Sequence, residues 1–184
     1  MRLPEAFTIP NAETTFCGFP AAQTWHDLAI WEEFFNRHRF ETLIELGTWK
    51  GGMAVFLAIQ CKARGIRFET IDHDAAQVEP RDLIDSLGAA VLSGNVFDLT
   101  WMKERIRAAP GPRLLFCDDG DKRREMRELA PLLDAGDFVA VHDWGSEAGS
   151  QDIPAAWEPI MAEVCESTSS ITRFFRLPIL SMMD

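Results

Sequence analysis

Two groups of charged side chains follow predicted strands and have the chemistry of a cation site. The first group begins at the last residue of the apolar strand RLLFCD and has the sequence DDGDK, residues 118–122. The second group, His142 and Asp143, ends the strand DFVAVH. Several carboxylates at the end of a buried strand are costly unless positive charge meets them. Because neighbouring parallel strands end at one edge of a sheet, we expect the two groups to share one cleft.

A divalent cation is one interpretation of these groups. Asp118, Asp119, His142 and Asp143 offer the mixed oxygen and nitrogen ligands of an octahedral Mg²⁺ or Mn²⁺ site completed by water. The alternative is purely structural, with Asp119 capping the next helix and His142 hydrogen-bonded to a neighbour. The sequence leaves both interpretations open.

A glycine turn with a carboxylate beside it follows the first predicted strand, ETLIEL. The turn reads Glu45-Leu46-Gly47-Thr48-Trp49-Lys50-Gly51-Gly52. Glycines permit a tight bend and expose backbone N–H groups at the start of a helix. The spacing G-x-x-x-G-G differs from the G-x-G-x-x-G of dinucleotide sites. Glu45 would oppose a pyrophosphate but suits a cationic amino-acid head such as that of S-adenosylmethionine (SAM), although a structural turn is the alternative.

The ends of the second and third strands offer groups for an adenosine. Asp72 could accept both ribose hydroxyls, with Asp74 in reserve, although a turn or helix-capping Asp is the alternative. We expect His73 to line the site as a wall. Asn95 could bind the adenine edge, an assignment that depends on the other two strand ends.

Strands and helices alternate along the chain. Predicted strands cover 41–46, 67–72, 89–94, 113–118, 137–142 and 171–177, and predicted helices include 53–63, 80–87, 122–134 with an irregularity at Pro131, and 153–165. Such βαβ units predict an α/β fold, with a single doubly wound, mostly parallel sheet flanked by helices on both faces. Residues 1–20 are predicted to form an irregular N-terminal arm and 21–184 the domain.

Composition excludes several function classes. The 184 residues suit one domain. A net charge of −11 disfavours nucleic-acid and membrane-surface partners. The four cysteines form no paired motif, and the N-terminus has no secretory pattern, so we expect a cytoplasmic protein.

Four segments together resemble class I SAM-dependent methyltransferases, in the branch of catechol O-methyltransferase-like and cephalosporin hydroxylase-type enzymes. These segments are GFPAAQTWHDL (18–28), IELGTWKGG (44–52), CDDGDKRRE (117–125) and VHDW (141–144). The chain departs from the pattern in having Lys122 where a His is usual and His142 where an acidic ligand is common. The short tail also leaves the family's seventh strand unassigned.

The resemblance implies a role for each candidate residue. Those expected to bind SAM are Glu45, Gly47, Thr48, Gly51, Gly52, Asp72, His73, Asn95 and Asp118. A metal at the acidic strand ends would activate the hydroxyl of a small-molecule acceptor, and Lys122 or His142 would take its proton. Without a metal, His142 becomes the base and Asp143 its orienting partner.

Further expectations concern the acceptor, the assembly and the rival functions. Trp49, Trp101 and Trp144 could wall the acceptor pocket, and the apolar helix 24–37 could form a homodimer face. One rival is a non-catalytic module that binds SAM or adenosine, which the short tail favours. A nicotinamide-dependent oxidoreductase is a third hypothesis, opposed by the missing dinucleotide motif.

Overall fold

The computed structural model describes residues 14–179, and a seven-stranded sheet forms its centre. The strands of the chain are β1 (Thr15–Phe16), β2 (Phe19–Pro20), β3 (Thr42–Leu46), β4 (Arg67–Asp72), β5 (Ala90–Ser93), β6 (Arg113–Cys117), β7 (Phe138–Val141), β8 (Glu158–Ile160) and β9 (Arg173–Arg176). The helices are α1 (Trp25–Arg37), α2 (Gly52–Arg64), α3 (Arg81–Ser86), α4 (Leu99–Ala108), α5 (Lys122–Glu128) and α6 (Ala162–Ser167).

The order of the sheet is β5-β4-β3-β6-β7-β9-β8. The five strands from β5 to β7 are parallel, whereas β9 runs antiparallel to both β7 and β8. The order reverses between β3 and β6, which makes their carboxyl ends the switch point where ligands bind in such sheets. The predicted doubly wound, mostly parallel sheet is therefore confirmed.

Apolar side chains on both faces of the sheet explain its burial. One cluster joins α1 and α2 to the sheet through residues such as Trp31, Phe34 and Leu57. The other joins α4 and α5 through Met102 and Met126. Central strands covered on both faces read as continuous apolar runs, which is why they were recognisable in the sequence.

Helix α1 lies in the first cluster. Its start is capped by the Thr24 hydroxyl, which accepts a hydrogen bond from the Asp27 N–H at 3.0 Å. The side chains on its apolar face are 5% exposed or less; they are Leu28, Ile30, Trp31, Phe34 and Phe35. The apolar face proposed for a homodimer is therefore used inside the molecule, because burying it against the sheet stabilises the fold. A homodimer stays a prediction without a surface assigned to it.

The segment 153–165, predicted as one helix, does not form a continuous helix in the structure. It contains strand β8 and the start of α6, and the helix begins only at Ala162. Pro154 and Pro159 explain the difference, because proline lacks the N–H that a helix interior needs, whereas an edge strand tolerates it. β8 pairs with β9 and completes the sheet, so the seventh strand does not depend on the C-terminal tail.

The other boundary predictions agree with the structure except near the N-terminus. The last strand is confirmed as β9, and α5 gives way to a short 3₁₀ helix at Pro131. The predicted irregular arm contains the hairpin β1–β2, while residues 1–13 and 180–184 lie outside the described part. None of the helices within residues 14–179 has the length and hydrophobicity that crossing a membrane would require.

Candidate active site

A cavity of about 350 Å³ opens at the carboxyl ends of β3, β4, β6 and β7. This is the switch point of the sheet, as the ligand-binding rule for such folds requires. Its lining residues are Pro20, Ala21, Ala22, Gly47, Thr48, Trp49, Met53, Asp72, His73, Gln77, Asp118, Asp119, Gly120, Lys122, His142 and Asp143. Four carboxylates among them give the cavity a strongly acidic wall.

Backbone hydrogen bonds hold the strand ends in register. The Gly47 N–H donates to the Ile71 carbonyl at 2.8 Å, and the Asp118 N–H donates to the Leu46 carbonyl at 3.0 Å. Gly47 has φ +89°, and a Cβ there would lie 2.5 Å from the Asp118 carbonyl oxygen. The glycine is therefore required because the turn after β3 passes directly against the end of β6.

Asp72 is held in place by the turn that it faces. Its Oδ2 accepts a hydrogen bond from the Trp49 N–H at 2.8 Å, and its Oδ1 accepts from the Asp74 N–H at 2.9 Å and from Gln77 Nε2 at 3.1 Å. The reserve candidate, Asp74, accepts instead from the Ala76 N–H and begins a 3₁₀ helix. The structure thus favours Asp72 as the carboxylate that faces a ligand.

Glu45 does not line the cavity, which corrects the role predicted for it. It is 1% exposed, and its Oε2 accepts a hydrogen bond from the Thr70 hydroxyl at 2.5 Å. Burial is the main cause that raises its pKa well above the usual value, and Asp118 and Asp72 raise it further. Burial therefore opposes the negative charge expected of this carboxyl. The acidic wall comes instead from Asp72, Asp118, Asp119 and Asp143.

Three other candidates lie away from the cavity and have structural roles. A Cβ at Gly51 would meet the Pro80 ring, and one at Gly52 would lie 2.4 Å from the carbonyl oxygens of the hairpin β1–β2. These glycines allow close packing at the start of α2 rather than ligand contact. Asn95 Oδ1 accepts a hydrogen bond from the Phe97 N–H at 2.9 Å, so its side chain is used in the turn before α4.

Asp118, His142 and Asp143 form the cluster that could hold a metal ion. One ligand atom of each lies within 4.8 Å of the others. His142 Nδ1 is 2.9 Å from Asp118 Oδ1 and 3.4 Å from Asp143 Oδ2. Asp119 lines the cavity but lies outside this cluster, which corrects its place in the predicted ligand set. Its backbone approaches Gly47, with the Asp119 Cα 2.8 Å from the position of a Cβ on that glycine.

The cluster fits a small divalent cation. Ligands at about 2.1 Å in an octahedron lie about 3 Å apart along its edges, close to the separations seen here. His142 is 4% exposed, and neither of its ring nitrogens has a hydrogen-bond partner of acceptable geometry in the structure. An imidazole buried in this way among carboxylates is typical of a metal ligand.

His142 and Lys122 are poor proton acceptors, contrary to the predicted base. Burial alone would lower the pKa of His142, but Asp118 and Asp143 outweigh it and raise that pKa to about 10. Burial also opposes the charge on Lys122, yet Asp118, Glu147 and Asp143 raise the pKa of its ammonium. Both groups therefore keep their protons at neutral pH in the metal-free site.

The three tryptophans predicted to line the acceptor pocket lie in different parts of the molecule. Trp49 lines the cavity and is 39% exposed, with φ +47°. Trp101 packs against Gly94 and Arg105 instead. Trp144 packs against Phe175, with ring centroids 5.5 Å apart and the ring planes tilted by 43°. Of the three, only Trp49 belongs to this cavity.

Sequence reasoning missed several site residues. Gln23 Nε2 donates to Asp118 Oδ2 at 3.1 Å, although the residue lies 95 positions away in sequence. Glu147 lies in the loop after β7, and its Oε2 is 2.8 Å from Lys122 Nζ. Pro20, Ala21 and Ala22 reach the cavity because the hairpin packs on α2. No local signal marked these long-range contacts.

Comparison with known proteins shows which solved structures share this fold. No family model and no curated protein matches the chain, but solved structures do. A CmcI structure with SAH has a TM-score of 0.70 and 16% identity, covering 90% of this chain and 82% of that one. A CmcI structure with Mg and SAM has a TM-score of 0.62 and 19% identity, covering 72% and 58%.

A third similar structure is that of the O-methyltransferase TomG from Streptomyces achromogenes, involved in tomaymycin synthesis, in complex with SAM. Its TM-score is 0.52 and its identity 19%, covering 67% of this chain and 57% of that one. This chain thus spans less than three-fifths of the TomG structure and of the CmcI structure with Mg. At these identities the likeness establishes the fold, which is the Rossmann-like methyltransferase fold predicted from the sequence.

Proposed function

We propose that the protein is a SAM-dependent methyltransferase that methylates a hydroxyl group of a small-molecule acceptor, assisted by a divalent cation. The observation that carries the proposal is the acidic cavity at the switch point, with the cluster Asp118, His142 and Asp143 inside it. The fold is shared with structures that hold SAM, SAH or Mg with SAM.

Electrostatics support a positively charged donor in this cavity. Four of its lining residues are Asp, and its two buried cationic groups, Lys122 and His142, are paired with carboxylates, so the lining keeps an excess of negative charge. A sulfonium and an ammonium group are stabilised by such a wall, whereas a pyrophosphate is repelled. Asp72 would accept the ribose hydroxyls, and Gly47, Thr48 and His73 would line the nucleoside. Fixed carboxylates suit methyl transfer because the main task is to hold donor and acceptor in line.

The metal would be held by Asp118, His142 and Asp143. A divalent cation, when bound, lowers the pKa of a hydroxyl group that it contacts. The protein's own residues would orient the acceptor and restrict water, with Trp49 as one wall of the cavity. Since His142 and Lys122 hold their protons, neither is assigned the role of base.

A radiolabelled methyl-transfer assay tests this function. Protein with SAM and Mg²⁺ should transfer label to members of a panel of phenolic, sugar and other hydroxylated acceptors. Asp143→Asn should reduce transfer at least tenfold because one metal ligand loses its charge. The matched control is Asp85→Asn, the same chemical change at an exposed position of α3, which should keep wild-type activity. Equal activity in both variants, or equal activity with Mg²⁺ and EDTA, would contradict the metal assignment.

The proposed setting is the cytoplasm, with no nucleic-acid or membrane partner. The four free thiols of Cys17, Cys61, Cys117 and Cys165 support a reducing compartment. The alternative of a non-catalytic module depends on a short tail and a missing substrate lid. Because β8 and β9 complete the sheet, the short tail no longer favours that alternative.

A further inference from the structure

The ammonium group of Lys122 is buried inside a ring of three carboxylates. The side chain is 5% exposed at the start of α5. Its Nζ lies 2.9 Å from Asp143 Oδ2, 2.8 Å from Glu147 Oε2 and 3.7 Å from Asp118 Oδ1. A buried cation with this many partners occupies a defined position rather than a freely moving one.

The same oxygen atoms belong to the candidate metal cluster. Asp118 Oδ1 and Asp143 Oδ2 are the atoms that face His142 Nδ1 at 2.9 and 3.4 Å. His142 also contributes a second sign of a ligand, since its ring is buried, Nδ1 faces these carboxylates and Nε2 has no hydrogen-bond partner. A divalent cation between these atoms would therefore lie beside the ammonium, and two cations at such a distance repel strongly in a partly buried site.

Glu147 offers a second position for the ammonium. It lies in the loop after β7, with its side chain 49% exposed, and it is not part of the metal cluster. The loop is held by Arg123 Nε, which donates to the Glu147 carbonyl at 3.0 Å, and by the Glu147 N–H, which donates to the Asp143 carbonyl. Lys122 can thus keep one carboxylate partner while it gives up Asp118 and Asp143.

We propose that Lys122 is an internal cation that competes with the divalent ion for Asp118 and Asp143, and that Glu147 alone retains its ammonium when the ion binds. Lys122 is then a positioning residue that sets the affinity and selectivity of the site for cations. The inference rests on the proposed metal-assisted function. It explains why a lysine can be stable in a site built from metal ligands.

Manganese binding followed by electron paramagnetic resonance tests the competition, since free Mn²⁺ gives a signal that bound Mn²⁺ loses. Lys122→Met should bind Mn²⁺ at least tenfold more tightly than the wild type, because the competing charge is gone. Glu147→Gln should bind it several-fold more weakly, because the displaced ammonium loses its partner. Lys103→Met, at an exposed position of α4, is the matched control and should leave the affinity unchanged.

A measurement on the wild type keeps the test independent of folding defects in the variants. The chain has four lysines, Lys50, Lys62, Lys103 and Lys122. In a sample with ¹⁵N-labelled lysine, Mg²⁺ should shift the ammonium resonance of the buried Lys122 and leave the other three in place. Mg²⁺ binding without such a shift, a folded Lys122→Met with unchanged or weaker Mn²⁺ affinity, or no Mn²⁺ binding to any variant would overturn the proposal.

Calorimetry with SAH separates this inference from the function on which it rests. SAH binding without lysine–metal competition would contradict the inference alone. Failure of SAH to bind the folded wild type would contradict the proposed function, whatever the Mn²⁺ result.

Discussion

Asp72 carries the most specific prediction at the level of single residues. Its oxygens accept hydrogen bonds from the Trp49 N–H and from Gln77, and the residue also lines the cavity. Replacing Asp72 with Asn should weaken SAH binding by about 1–3 kcal/mol, because charged hydrogen bonds to the ribose are lost.

Isothermal calorimetry measures this effect, and Asp74→Asn is the control. Asp74 carries the same side chain two residues later but starts a 3₁₀ helix, so its substitution should change affinity less than threefold. Comparable losses in both variants would remove Asp72 from the ligand site.

Glu125 makes the stability of the protein depend on pH. It is 0% exposed, and neither carboxyl oxygen has a hydrogen-bond partner in the structure. Burial, followed by the charge of Asp119, raises its pKa from 4.5 to about 8. The folded state therefore keeps the proton, so the stabilising contribution is complete below pH 4.5 and is lost as the pH rises towards 8.

Glu125→Gln should remove this dependence. The free energy of unfolding of the variant, relative to that of the wild type, should increase as the pH rises from 4.5 to 8, by at most about 1.4 kcal/mol per pH unit. Urea titrations at pH 5, 6, 7 and 8 measure the difference, with the exposed Glu104→Gln as the control. A constant difference across this range would show that Glu125 ionises normally.

The sequence could predict which residues line the cavity where a strand end itself faces it. Asp72, Asp118, His142 and Asp143 follow directly from strands that could be recognised by their apolar runs. Glu45 does not line the cavity because the alternation within β3 places its side chain on one face of the sheet, where the Thr70 hydroxyl donates to it. Lys122 lines the cavity, but its charge is stabilised in part by Glu147, which only the fold brings close.

Gly47 is the residue on which the turn between β3 and α2 depends. A Cβ there would lie 2.5 Å from the Asp118 carbonyl oxygen, and φ is +89°. Gly47→Ala should lower the free energy of unfolding by about 2–4 kcal/mol, through backbone strain and displacement of β6.

Gly65→Ala separates the cost of backbone strain from the cost of displacing β6. Gly65 ends α2 with φ +69° but has no atom within 4 Å of an added Cβ. It should cost only about 1–2 kcal/mol, from the left-handed conformation. Equal costs by urea denaturation would show that the contact with β6 is unimportant.

Asp27 joins helix α1 to the segment that leads into β9. Its Oδ1 accepts hydrogen bonds from the Ser170 hydroxyl and from the N–H groups of Ile171 and Thr172, at 2.5, 3.1 and 3.0 Å. Asp27→Ala should destabilise the fold by about 2–4 kcal/mol, because these donors stay buried without a partner. The exposed Asp82→Ala on α3 is the control for chemical denaturation. A loss below 0.5 kcal/mol, the usual range for surface substitutions, would contradict the proposed connection.

Elements near the end of the chain were harder to predict than the central strands. The segment 153–165 has apolar residues at helical spacing, but pairing of β8 with β9 decides its conformation. The hairpin β1–β2 consists of two-residue strands, which are too short for a periodic signal. In contrast, β3 and β6 are buried on both faces and are visible as apolar runs.

At the scale of the whole molecule, the order of elements was sufficient to predict the architecture. Alternating strands and helices require right-handed crossovers, and these bring the carboxyl ends of β3, β4, β6 and β7 to one edge. What the order could not supply was the set of contacts between distant segments, such as Gln23 with Asp118. Those contacts decide which carboxylates face the cavity and which are buried away from it.

Calorimetric titration of the wild-type protein with SAH and with NAD is the most direct test of the central claim, which is that the acidic cavity selects a positively chargeable nucleoside over a pyrophosphate. The account predicts SAH binding at one site per chain and no heat from NAD. At a hundredfold excess over its Kd, SAH should stabilise the fold by about 2.7 kcal/mol. Tight binding of NAD without binding of SAH would contradict the account.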